Sequence, residues 1–335
     1  MRFFSLKRHT TVSMCKFCAL VLSLFLYACT DSDTTLRLKL AHTLDPTHTV
    51  HKAMLFMDKR LQELSGGTMA IDIYPSGQLG SERELIELLQ IGSLTMTKVS
   101  ASPLEGFVPE MKIFNIPYLF RDDEHYQQVL ASDIGKSLLL APVSARLRGL
   151  GYYDAGSRSF YSTKKPVHTP EDLVGMKVRV QESQTAMRMV TSLGGSPTPV
   201  AWGELYTALQ QGVVDGAENN PPSFYLSHHY EVAPYYTLDE HSAVPDILLV
   251  SQYVWEHLSP QQQEWLQQAV DESVQYQHRQ WQIDTAAALA AVEAAGVQVI
   301  RPDKALFRAK VAPMMQAYEG TPLGAVIKQI QEYGQ

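Results

Sequence analysis

The sequence predicts an α/β protein with two domains that face a common cleft and share one long helix. Strand-like and helix-like segments alternate along the chain, which is the pattern of an α/β fold. The part after the amino-terminal region, about 300 residues, exceeds what one hydrophobic core normally supports and therefore indicates two domains. A stretch without Gly or Pro between 261 and 295 predicts one helix that is longer than a single small domain needs.

The amino-terminal region has the layout of a secretory signal. Basic residues precede the apolar block ALVLSLFLYA, which leads into Cys29. The box Leu26-Tyr27-Ala28-Cys29 resembles a bacterial lipoprotein cleavage site, so we expect residues 1–28 to be removed and Cys29 to carry lipid. An ordinary signal peptide cut nearby is the alternative. The apolar block, about 13 residues, is too short to span a bilayer. Either reading predicts export to the periplasm, and the lipoprotein reading adds a membrane tether.

Charge and cysteine content exclude several classes of function. Without residues 1–28, which hold four basic and no acidic side chains, 24 Lys and Arg stand against 35 Asp and Glu, a net charge of −11. This balance argues against a nucleic-acid partner, which requires a basic face. Beyond Cys29 the chain has no cysteine, so neither a disulfide nor a thiolate metal site is expected.

The first α/β run starts with a strand over 36–42. The segment SERELIELLQIG, over 81–92, predicts a helix because Ser81 can cap its start and Glu84 can complete a capping box three residues later. A single helix is expected over 123–147.

A second α/β run follows with the strand-like segments SRSFYS, GMKVRV and VVDGAEN. Between the last two we expect a helix over SQTAMRMVTSLGG, a Pro-containing loop up to Val200 and a helix over WGELYTALQQG. The long helix then has Ser259 as N-cap, Pro260 at its first position, Gln262 to complete a capping box, and Gly296 as its stop. At a length of about 50 Å it predicts a strut across both domains.

No catalytic or metal-binding motif is found in the sequence. The nucleophile elbow, the HExxH metal motif, the Walker phosphate loop and the GxGxxG fingerprint are all missing. His42, His48 and His51 lack a carboxylate at ligand spacing, so we expect no metal. His42 ends a strand, where α/β sheets present ligand-binding groups, and it could therefore bind a ligand.

Arg179, inside the strand segment GMKVRV, has two possible roles. It could be a strand-edge cation paired with Glu171 or Asp172. It could instead lie in a cleft, where its planar guanidinium matches a carboxylate with two parallel hydrogen bonds. Position in the sequence does not decide between these roles.

Five motifs, found together in one order, resemble the substrate-binding subunit of a TRAP (tripartite ATP-independent periplasmic) transporter. They are YPSGQLGSERELIELLQIGSLTM, FNIPYLF, KKPVHTPEDLVGMKVRV, GGSPTPVAWGELYTALQQGVVDGAENN and HYEV. The resemblance runs through nearly all of 36–320. It implies a fold similar to the type II periplasmic binding proteins, with no cofactor and no enzymatic activity.

The resemblance also implies roles for individual residues. In the family, the arginine of the G-x-K-x-R-x strand forms the salt bridge to the substrate carboxylate, which corresponds to Arg179. A second cleft arginine corresponds to Arg158 and a cleft asparagine to Asn219. Glu82 matches an acid of sialic-acid-binding members, and Trp202 matches an aromatic residue that would stack on the ligand. For the last three, turn, helix-cap and core-packing roles remain open.

Two departures argue against sialic acid as the ligand. Ser100 stands where sialic-acid-binding members have glutamate, and Glu182 stands where they have asparagine. The segments ENNPPSFYLSHHYEV and LDEHSAVPDILLVS instead resemble the branch that binds hexuronates such as glucuronate and galacturonate. A uronate offers one carboxylate and several ring hydroxyls, which both donate and accept hydrogen bonds. The candidate hydroxyl partners are Glu82, Asn219, His42 and His241.

The expected function is capture of a hexuronate by domain closure and its delivery to the TRAP permease subunits in the membrane, driven by an ion gradient. The expected domains are discontinuous, 34–155 plus 245–284 and 156–244 plus 285–335. The alternative ligands are C4-dicarboxylates or other aliphatic acids, for which Arg158 would take a second carboxylate. The alternative classes are a secreted glycoside hydrolase, with Glu82 and Glu182 as its carboxylate pair, and a signalling sensor.

Overall fold

The structure, a computed structural model, describes residues 35–334. The predicted signal segment 1–28 and the predicted lipidation site Cys29 lie outside the described residues. The described residues from Arg37 onward form one compact unit. Within the described residues, no helix is both long enough and apolar enough to cross a bilayer.

The strands alternate with helices as predicted. They are β1 (Leu36–Ala41), β2 (Met69–Tyr74), β3 (Met96–Ser100), β4 (Leu147–Tyr153), β5 (Ser157–Ser162), β6 (Lys177–Val180), β7 (Ser196–Pro199), β8 (Gly216–Asn219), β9 (Tyr235–Ala243), β10 (Asp246–Ser251) and β11 (Gln298–Ile300).

One α-helix, of 35 residues, is much longer than the other α-helices among the described residues. The α-helices are α1 (Thr49–Leu64), α2 (Glu82–Gln90), α3 (Ala101–Leu104), α4 (Asp123–Ala131), α5 (Asp133–Leu140), α6 (Gln184–Ser192), α7 (Leu205–Gln210), α8 (Pro221–Leu226), α9 (Gln252–His257), α10 (Pro260–Ala294), α11 (Lys304–Gln316) and α12 (Pro322–Glu332). Short 3₁₀ segments lie at Pro109–Asn115, Ala141–Ala145, Pro170–Leu173, Trp202–Glu204 and His229–Glu231.

Two separate sheets confirm the two-domain α/β prediction. The first sheet has the order β2-β1-β3-β10-β4, and the second has the order β11-β9-β5-β8-β6-β7. In the first sheet β1 and β3 are parallel, while β10 is antiparallel to both β3 and β4. In the second, β6 is parallel to β7 and β8, while β5 is antiparallel to β8 and β9. The chain crosses between the sheets from β4 to β5 and again from β9 to β10.

Each sheet packs against a hydrophobic core on both of its faces. On β10, Ile247 and Leu249 enter one core of the first sheet, while Leu248 and Val250 enter the other. The second sheet divides in the same way, with Phe160 in one core and the adjacent Tyr161 in the other.

The long helix α10 has the predicted caps and spans 35 residues. Ser259 and Gln262 form the capping box, and Pro260 occupies the first turn. Leu266 and Val270, in its amino-terminal half, enter a core of the first sheet, while Val292 near its end enters a core of the second. The helix is therefore shared by the two lobes.

The first crossing between the lobes is fixed by α10. Gln277 accepts from the backbone N–H of Asp154 and donates to its carbonyl oxygen, both at 2.8 Å. Gly156 has a φ of +56°, and a Cβ there would lie 3.1 Å from Nε1 of Trp281. Glycine is favoured here because this backbone conformation disfavours L side chains and Trp281 is close.

Three local predictions were wrong. The expected helix over 123–147 breaks at Ser132, which ends α4 and accepts from the N–H of Ile134 to cap α5. The expected loop before Val200 contains β7, whose prolines are tolerated because the strand lies at the sheet edge. The segment 285–335 was expected to lie wholly in the second domain, yet α12 packs Ile327 and Ile330 into a core of the first sheet. Periodicity identifies the apolar face of such a helix but not its partner.

Away from the sheets, the lobes are joined through the buried carboxylate of Glu105. This residue follows α3 in the first lobe and accepts from Thr185 N at 3.2 Å and Thr185 Oγ1 at 3.0 Å in the second. It also accepts from the hydroxyl of Ser183, which caps α6. The carboxylate thus satisfies donors at a helix start, where negative charge is stabilising.

Glu105→Ala is expected to lower the free energy of unfolding by about 2–4 kcal/mol, because it leaves several buried donors without an acceptor. Urea unfolding of the purified protein measures this loss. Glu110→Ala, a truncation of an exposed acid in the following 3₁₀ turn, is the control and should change stability by less than about 0.5 kcal/mol. Equal effects of the two changes would contradict the assigned role of Glu105.

Candidate ligand-binding site

Polar side chains from both lobes meet at a cleft between the sheets. Ser100 ends β3, Val180 ends β6 and Asn219 ends β8, so the carboxyl ends of three strands point to this region. The residues lining the cleft are Thr43, Leu44, His48, Glu82, Lys98, Ser100, Ala155, Arg158, Gln181, Trp202, Asn219, Asn220, Ser223, Val244, Asp246 and Trp281. An adjoining recess shares Glu82, Gln181 and Trp202 with it and adds Arg179.

Arg179 is a buried cation, 2% exposed, whose hydrogen bonds are incomplete. Its Nε donates to the carbonyl oxygen of Val200 at 2.9 Å, and its guanidinium carbon lies 5.8 Å from the Trp202 ring centre. Its Nη1 has no hydrogen-bond partner among the described residues. Burial lowers the pKa of Arg179 because it disfavours the charged form. A carboxylate arriving at Nη1 would supply both a hydrogen bond and a counter-charge.

Arg158, by contrast, already has a carboxylate partner. Its Nε and Nη2 donate to the two carboxylate oxygens of Glu218, the second at 2.8 Å. Its Nη1 donates to Oδ1 of Asn219 at 3.2 Å. Since the bidentate face of Arg158 is occupied, this residue cannot offer the same fork to a ligand carboxylate without displacing Glu218.

Two further charged residues, His241 and Asp239, extend this charge chain behind Glu218. His241 lies fully buried with Nδ1 2.8 Å from Oδ2 of Asp239 and Nε2 3.5 Å from Oε2 of Glu218. Burial opposes ionisation of both His241 and Glu218, but the neighbouring opposite charges outweigh it. The pKa of His241 is raised to about 9, with Asp239 as the main cause, and the pKa of Glu218 is lowered to about 2, with Arg158 as the main cause.

The first-lobe wall of the cleft carries an ion cluster around Lys98. Its Nζ lies 3.0 Å from Oδ1 of Asp246 and 3.3 Å from Oε1 of Glu82. Glu82 also accepts from the N–H of Ser100 at 3.1 Å. Burial disfavours the ammonium form of Lys98, but the two carboxylates outweigh it and raise its pKa. Ser100 reaches across the cleft and donates to Oε1 of Gln181 at 3.1 Å.

Three neutral histidines lie beside this wall. His42 Nε2 is 2.9 Å from His51 Nδ1, and His42 Nδ1 accepts from the N–H of Leu44. His48 caps α1 by accepting from Val50 N, and its Nε2 lies 3.3 Å from Ser223 Oγ in the opposite lobe. Burial lowers the pKa of His42 to about 2 and that of His48 to about 3, in each case with a smaller effect of the Lys98 charge.

His48→Asn is expected to reduce the acid sensitivity of the fold. Below pH ~6.5 the unfolded state protonates His48 while the folded state does so only near pH 3, so stability falls through this window by up to ~1.4 kcal/mol per pH unit. Asparagine keeps the cap acceptor but does not titrate. Between pH 7.5 and 5.0, the variant should lose ~1–2 kcal/mol less than wild type in urea unfolding.

The control for this comparison is His257→Asn, which replaces an exposed histidine on α9. Its stability curve against pH should run parallel to that of wild type. If His48→Asn also runs parallel to wild type, protonation of His48 does not contribute to acid unfolding.

The structure brings five of the nine predicted ligand-binding residues to the lining of the cleft and two to its adjoining recess. The five are Glu82, Ser100, Arg158, Trp202 and Asn219. The two are Arg179 and Glu182, and the latter is partly exposed, 3.7 Å from Nη1 of Arg83 across the cleft rim.

His42 and His241 are not among the residues that line the cleft or its adjoining recess. Both ring nitrogens of His42 are engaged within the first lobe, and His241 lies behind Glu218. Their types and strand positions were compatible with a ligand contact. Their packing depends on residues far away in the sequence.

Sequence reasoning missed Lys98, Asp246, Glu218 and His48 as parts of the site. Lys98 and Asp246 carried a usable signal, since each is a lone charge in a strand that otherwise reads as buried. Glu218 stands directly before the predicted Asn219, but its pairing with Arg158 depends on the antiparallel register of β5 and β8.

Within residues 35–334, no group of three or more His, Cys, Asp or Glu is arranged to hold a metal ion.

A second concave region, between α11, α12 and 117–121, has a volume of about 1060 Å³. Its arginines are already engaged: Arg121 donates to the carbonyl oxygens of Gln331 and Tyr333, and Arg308 stacks on Tyr118.

The sequence matches a known family over most of its length. The model of the bacterial extracellular solute-binding proteins of family 7 (DctP) matches residues 40–321. The uncharacterized protein YiiZ of Salmonella typhimurium is 38% identical over 292 residues, which are 87% of this chain and 88% of that protein.

Solved structures of TRAP periplasmic solute-binding proteins share the fold. One from Bradyrhizobium, in complex with galacturonate, is 41% identical with a TM-score of 0.86 and covers 88% of this chain and 99% of its own. One from Pseudomonas putida F1, with bound D-glucuronate, is 35% identical with a TM-score of 0.86, covering 90% and 98%. One from Polaromonas, bound to D-erythronate, is 32% identical with a TM-score of 0.87, covering 90% and 99%.

Proposed function

This chain belongs to the family 7 bacterial extracellular solute-binding proteins, the substrate-binding subunits of TRAP transporters, and we propose that its ligand is a hexuronate, D-glucuronate or D-galacturonate. The family membership confirms the sequence-based assignment. Similar proteins from Bradyrhizobium and Pseudomonas putida were crystallised with these sugar acids.

The main support for the proposal is the buried, incompletely hydrogen-bonded guanidinium of Arg179. A buried guanidinium whose Nη1 has no partner within residues 35–334 is unfavourable unless an anion pairs with it. The cleft lining also holds Lys98 and Arg158, but both are already paired with carboxylates, and the remaining polar groups are neutral or acidic side chains, which suit hydroxyls. One carboxylate for Arg179 and several hydroxyls for the rest is the composition of a uronate.

Capture would proceed by closure of the lobes. Arg179 and Asn219 belong to the second sheet, whereas Glu82 and Ser100 lie on the wall of the first. A ligand that bridges these groups interacts better with the closed than with the open form, and only that difference can shift the equilibrium. The domain division that supports this motion is 34–155 plus 245–284 against 156–244 plus most of 285–335, with α12 joining the first lobe.

Delivery would follow at a membrane permease driven by an ion gradient, with Cys29 as a lipid tether for the periplasmic protein. The proposed site binds without chemistry. For the hydrolase alternative, Glu82 and Glu182 would have to act as a pair, but Glu82 is held by Lys98 and Ser100 while Glu182 lies at the rim. Their arrangement favours binding over hydrolysis.

The bidentate pair of Arg158 with Glu218 bears on the main alternative ligand class. A C4-dicarboxylate was expected to use Arg158 for its second carboxylate. Because Glu218 already occupies that face, the pair disfavours a dicarboxylate and favours a ligand with a single carboxylate.

A thermal-shift screen tests the proposal. The purified protein is melted with hexuronates, sialic acid, C4-dicarboxylates, aldonates and neutral sugars, since a ligand selective for the folded state raises the melting temperature. Glucuronate or galacturonate should stabilise the protein, while glucose and succinate should not. Stabilisation by a dicarboxylate or sialic acid alone would keep the family but overturn the hexuronate assignment.

A further inference from the structure

The first-lobe wall of the cleft places two carboxylates around one ammonium group. Lys98 is paired with both Glu82 and Asp246, and all three line the cleft. The Lys98 side chain is only 2% exposed, while those of Glu82 and Asp246 are 12% and 11% exposed. The two acids thus retain a small accessible surface, and the ammonium lies behind it.

The geometry follows from the pairing of β3 with β10. Lys98 is opposite Leu248 and Ser100 is opposite Asp246 in this antiparallel ladder. Lys98 and Asp246 are therefore diagonal neighbours on the same face of the sheet. Glu82, at the start of α2, approaches the same point and accepts from the N–H of Ser100.

The cluster leaves this wall with a surplus negative charge. One ammonium compensates one of the two carboxylates, so the three side chains carry a net charge of −1 when ionised. On the opposite wall Glu218 compensates Arg158, and Arg179 remains as a surplus cation. The cleft is therefore polarised, with a positive second-lobe wall and a negative first-lobe wall.

We propose that Lys98, Glu82 and Asp246 together bind the hydroxyl-bearing end of the ligand and exclude a second carboxylate from it. Selectivity for hydroxylated monocarboxylates over dicarboxylates would then be set on this wall, with Asp246 as a specificity-determining residue. This inference rests on the proposed function, because it concerns the end of the ligand that lies away from Arg179.

The chemistry of each group supports this role. Ionised carboxylates only accept hydrogen bonds, which sugar hydroxyls can donate, while the third N–H of the ammonium can donate to a hydroxyl oxygen. A hydroxyl brings no charge to the cluster. A second carboxylate would instead lie beside two others, and such like-charge contacts are an effective means of rejecting a wrong ligand.

An ion pair with a purely structural role would need only one of the two carboxylates around Lys98. One carboxylate is sufficient to neutralise Lys98, and a second buried carboxylate is unfavourable unless donors satisfy it. Glu82 has the N–H of Ser100 as a further donor. Asp246 faces the cleft next to Lys98, where ligand hydroxyls can supply the remaining donors.

Calorimetric titration of Asp246→Asn against wild type tests the inference, with galacturonate, glucuronate, galactarate and succinate as ligands. Galactarate has the stereochemistry of galacturonate but carries a second carboxylate in place of the aldehyde carbon. Asp133→Asn is the matched control, because it makes the same charge change on a fully exposed side chain. Melting of each variant without ligand checks that it is folded.

Asp246→Asn should weaken galacturonate binding at least tenfold and should raise the ratio of galactarate to galacturonate affinity at least tenfold, while the control leaves both unchanged. If wild type binds hexuronates and the variant keeps wild-type affinities for every ligand, this inference is overturned and the proposed function stands. If wild type prefers galactarate or succinate, or binds none of the four, both are overturned.

Glu82→Gln serves as a second variant in case Asp246→Asn does not fold. It removes the same charge from the other carboxylate, and its amide oxygen can still accept from Ser100. The same tenfold change in the galactarate to galacturonate ratio is expected. A ratio equal to that of wild type would count against the role of the cluster.

Discussion

Arg179→Lys is expected to weaken binding of glucuronate or galacturonate by at least tenfold while changing the melting temperature of the unliganded protein little. Lysine keeps the positive charge but loses the planar fork, and a charge-assisted hydrogen bond contributes about 1.5–3 kcal/mol. One lost bond of this kind corresponds to a factor of about 10–100 in affinity. Calorimetric titration gives the change, and thermal melting without ligand shows whether the fold is intact.

Arg83→Lys is the control for this substitution. Arg83 is half exposed on α2, pairs with Glu87 at 3.2 Å, and lies at the rim of the recess that contains Arg179. The same chemical change there should alter affinity less than threefold. Unchanged affinity in Arg179→Lys would remove Arg179 from the site and with it the main support for a carboxylate ligand.

Glu218→Gln should cause the largest loss of stability among the predicted variants, about 3–5 kcal/mol of the free energy of unfolding. The glutamine leaves the buried Arg158 without a counter-charge, and its amide N–H₂ opposes one of the arginine donors. Arg179 and protonated His241 lie nearby, so the variant would hold further positive charge that Glu218 no longer compensates. Urea unfolding near pH 7 measures the effect.

The pH dependence of this loss distinguishes a charge effect from a packing effect. The folded-state pKa of Glu218, about 2, lies below its ordinary value, so its contribution is complete above pH ~4.5 and is lost as the pH falls toward 2. The difference between wild type and variant should therefore shrink below pH ~4.5. Glu231→Gln, the same substitution at a half-exposed residue, should change stability by less than about 1 kcal/mol.

His241 gives an independent signature. Its raised pKa of about 9 means that its contribution is present below pH ~6.5 and is lost as the pH rises through 9. In Glu218→Gln one of its two anionic partners is gone, so the pKa of His241 should fall. An NMR titration of this imidazole that gives the same pKa in both proteins would contradict the proposed charge chain.

Local physics explains what could be predicted. The capping box at Ser81 and Glu84, the cap and proline at the start of α10, and the alternation of strands and helices depend on neighbouring residues, and all are found in the structure. The motifs around Arg179 and Asn219 also lie within single segments. Interactions within a segment are encoded by residue type and spacing, so one sequence is sufficient to identify them.

Other features depend on contacts between distant segments. The helix breaks at Ser132 because the side chain of this residue hydrogen-bonds to the backbone in place of continued helical hydrogen bonding. Hydrophobic periodicity does not reveal this competition. The packed structure is needed to place α12 against the first lobe, His42 within its own lobe, and His241 behind Glu218. Residue types allowed several arrangements, and only burial and register distinguished them.

Short-range patterns and ordered motifs in the sequence were sufficient to predict the α/β class, the long shared helix and the family, and to propose Arg179 as the partner of a ligand carboxylate. Three features were visible only in the folded chain: Arg158 is already paired with Glu218, Nη1 of Arg179 has no partner in the part of the chain that the structure describes, and Lys98 and Asp246 form a charged wall opposite. Strand register is the cause. Pairing of β5 with β8 and of β3 with β10 brings charges together across 60 and 148 positions of sequence, respectively.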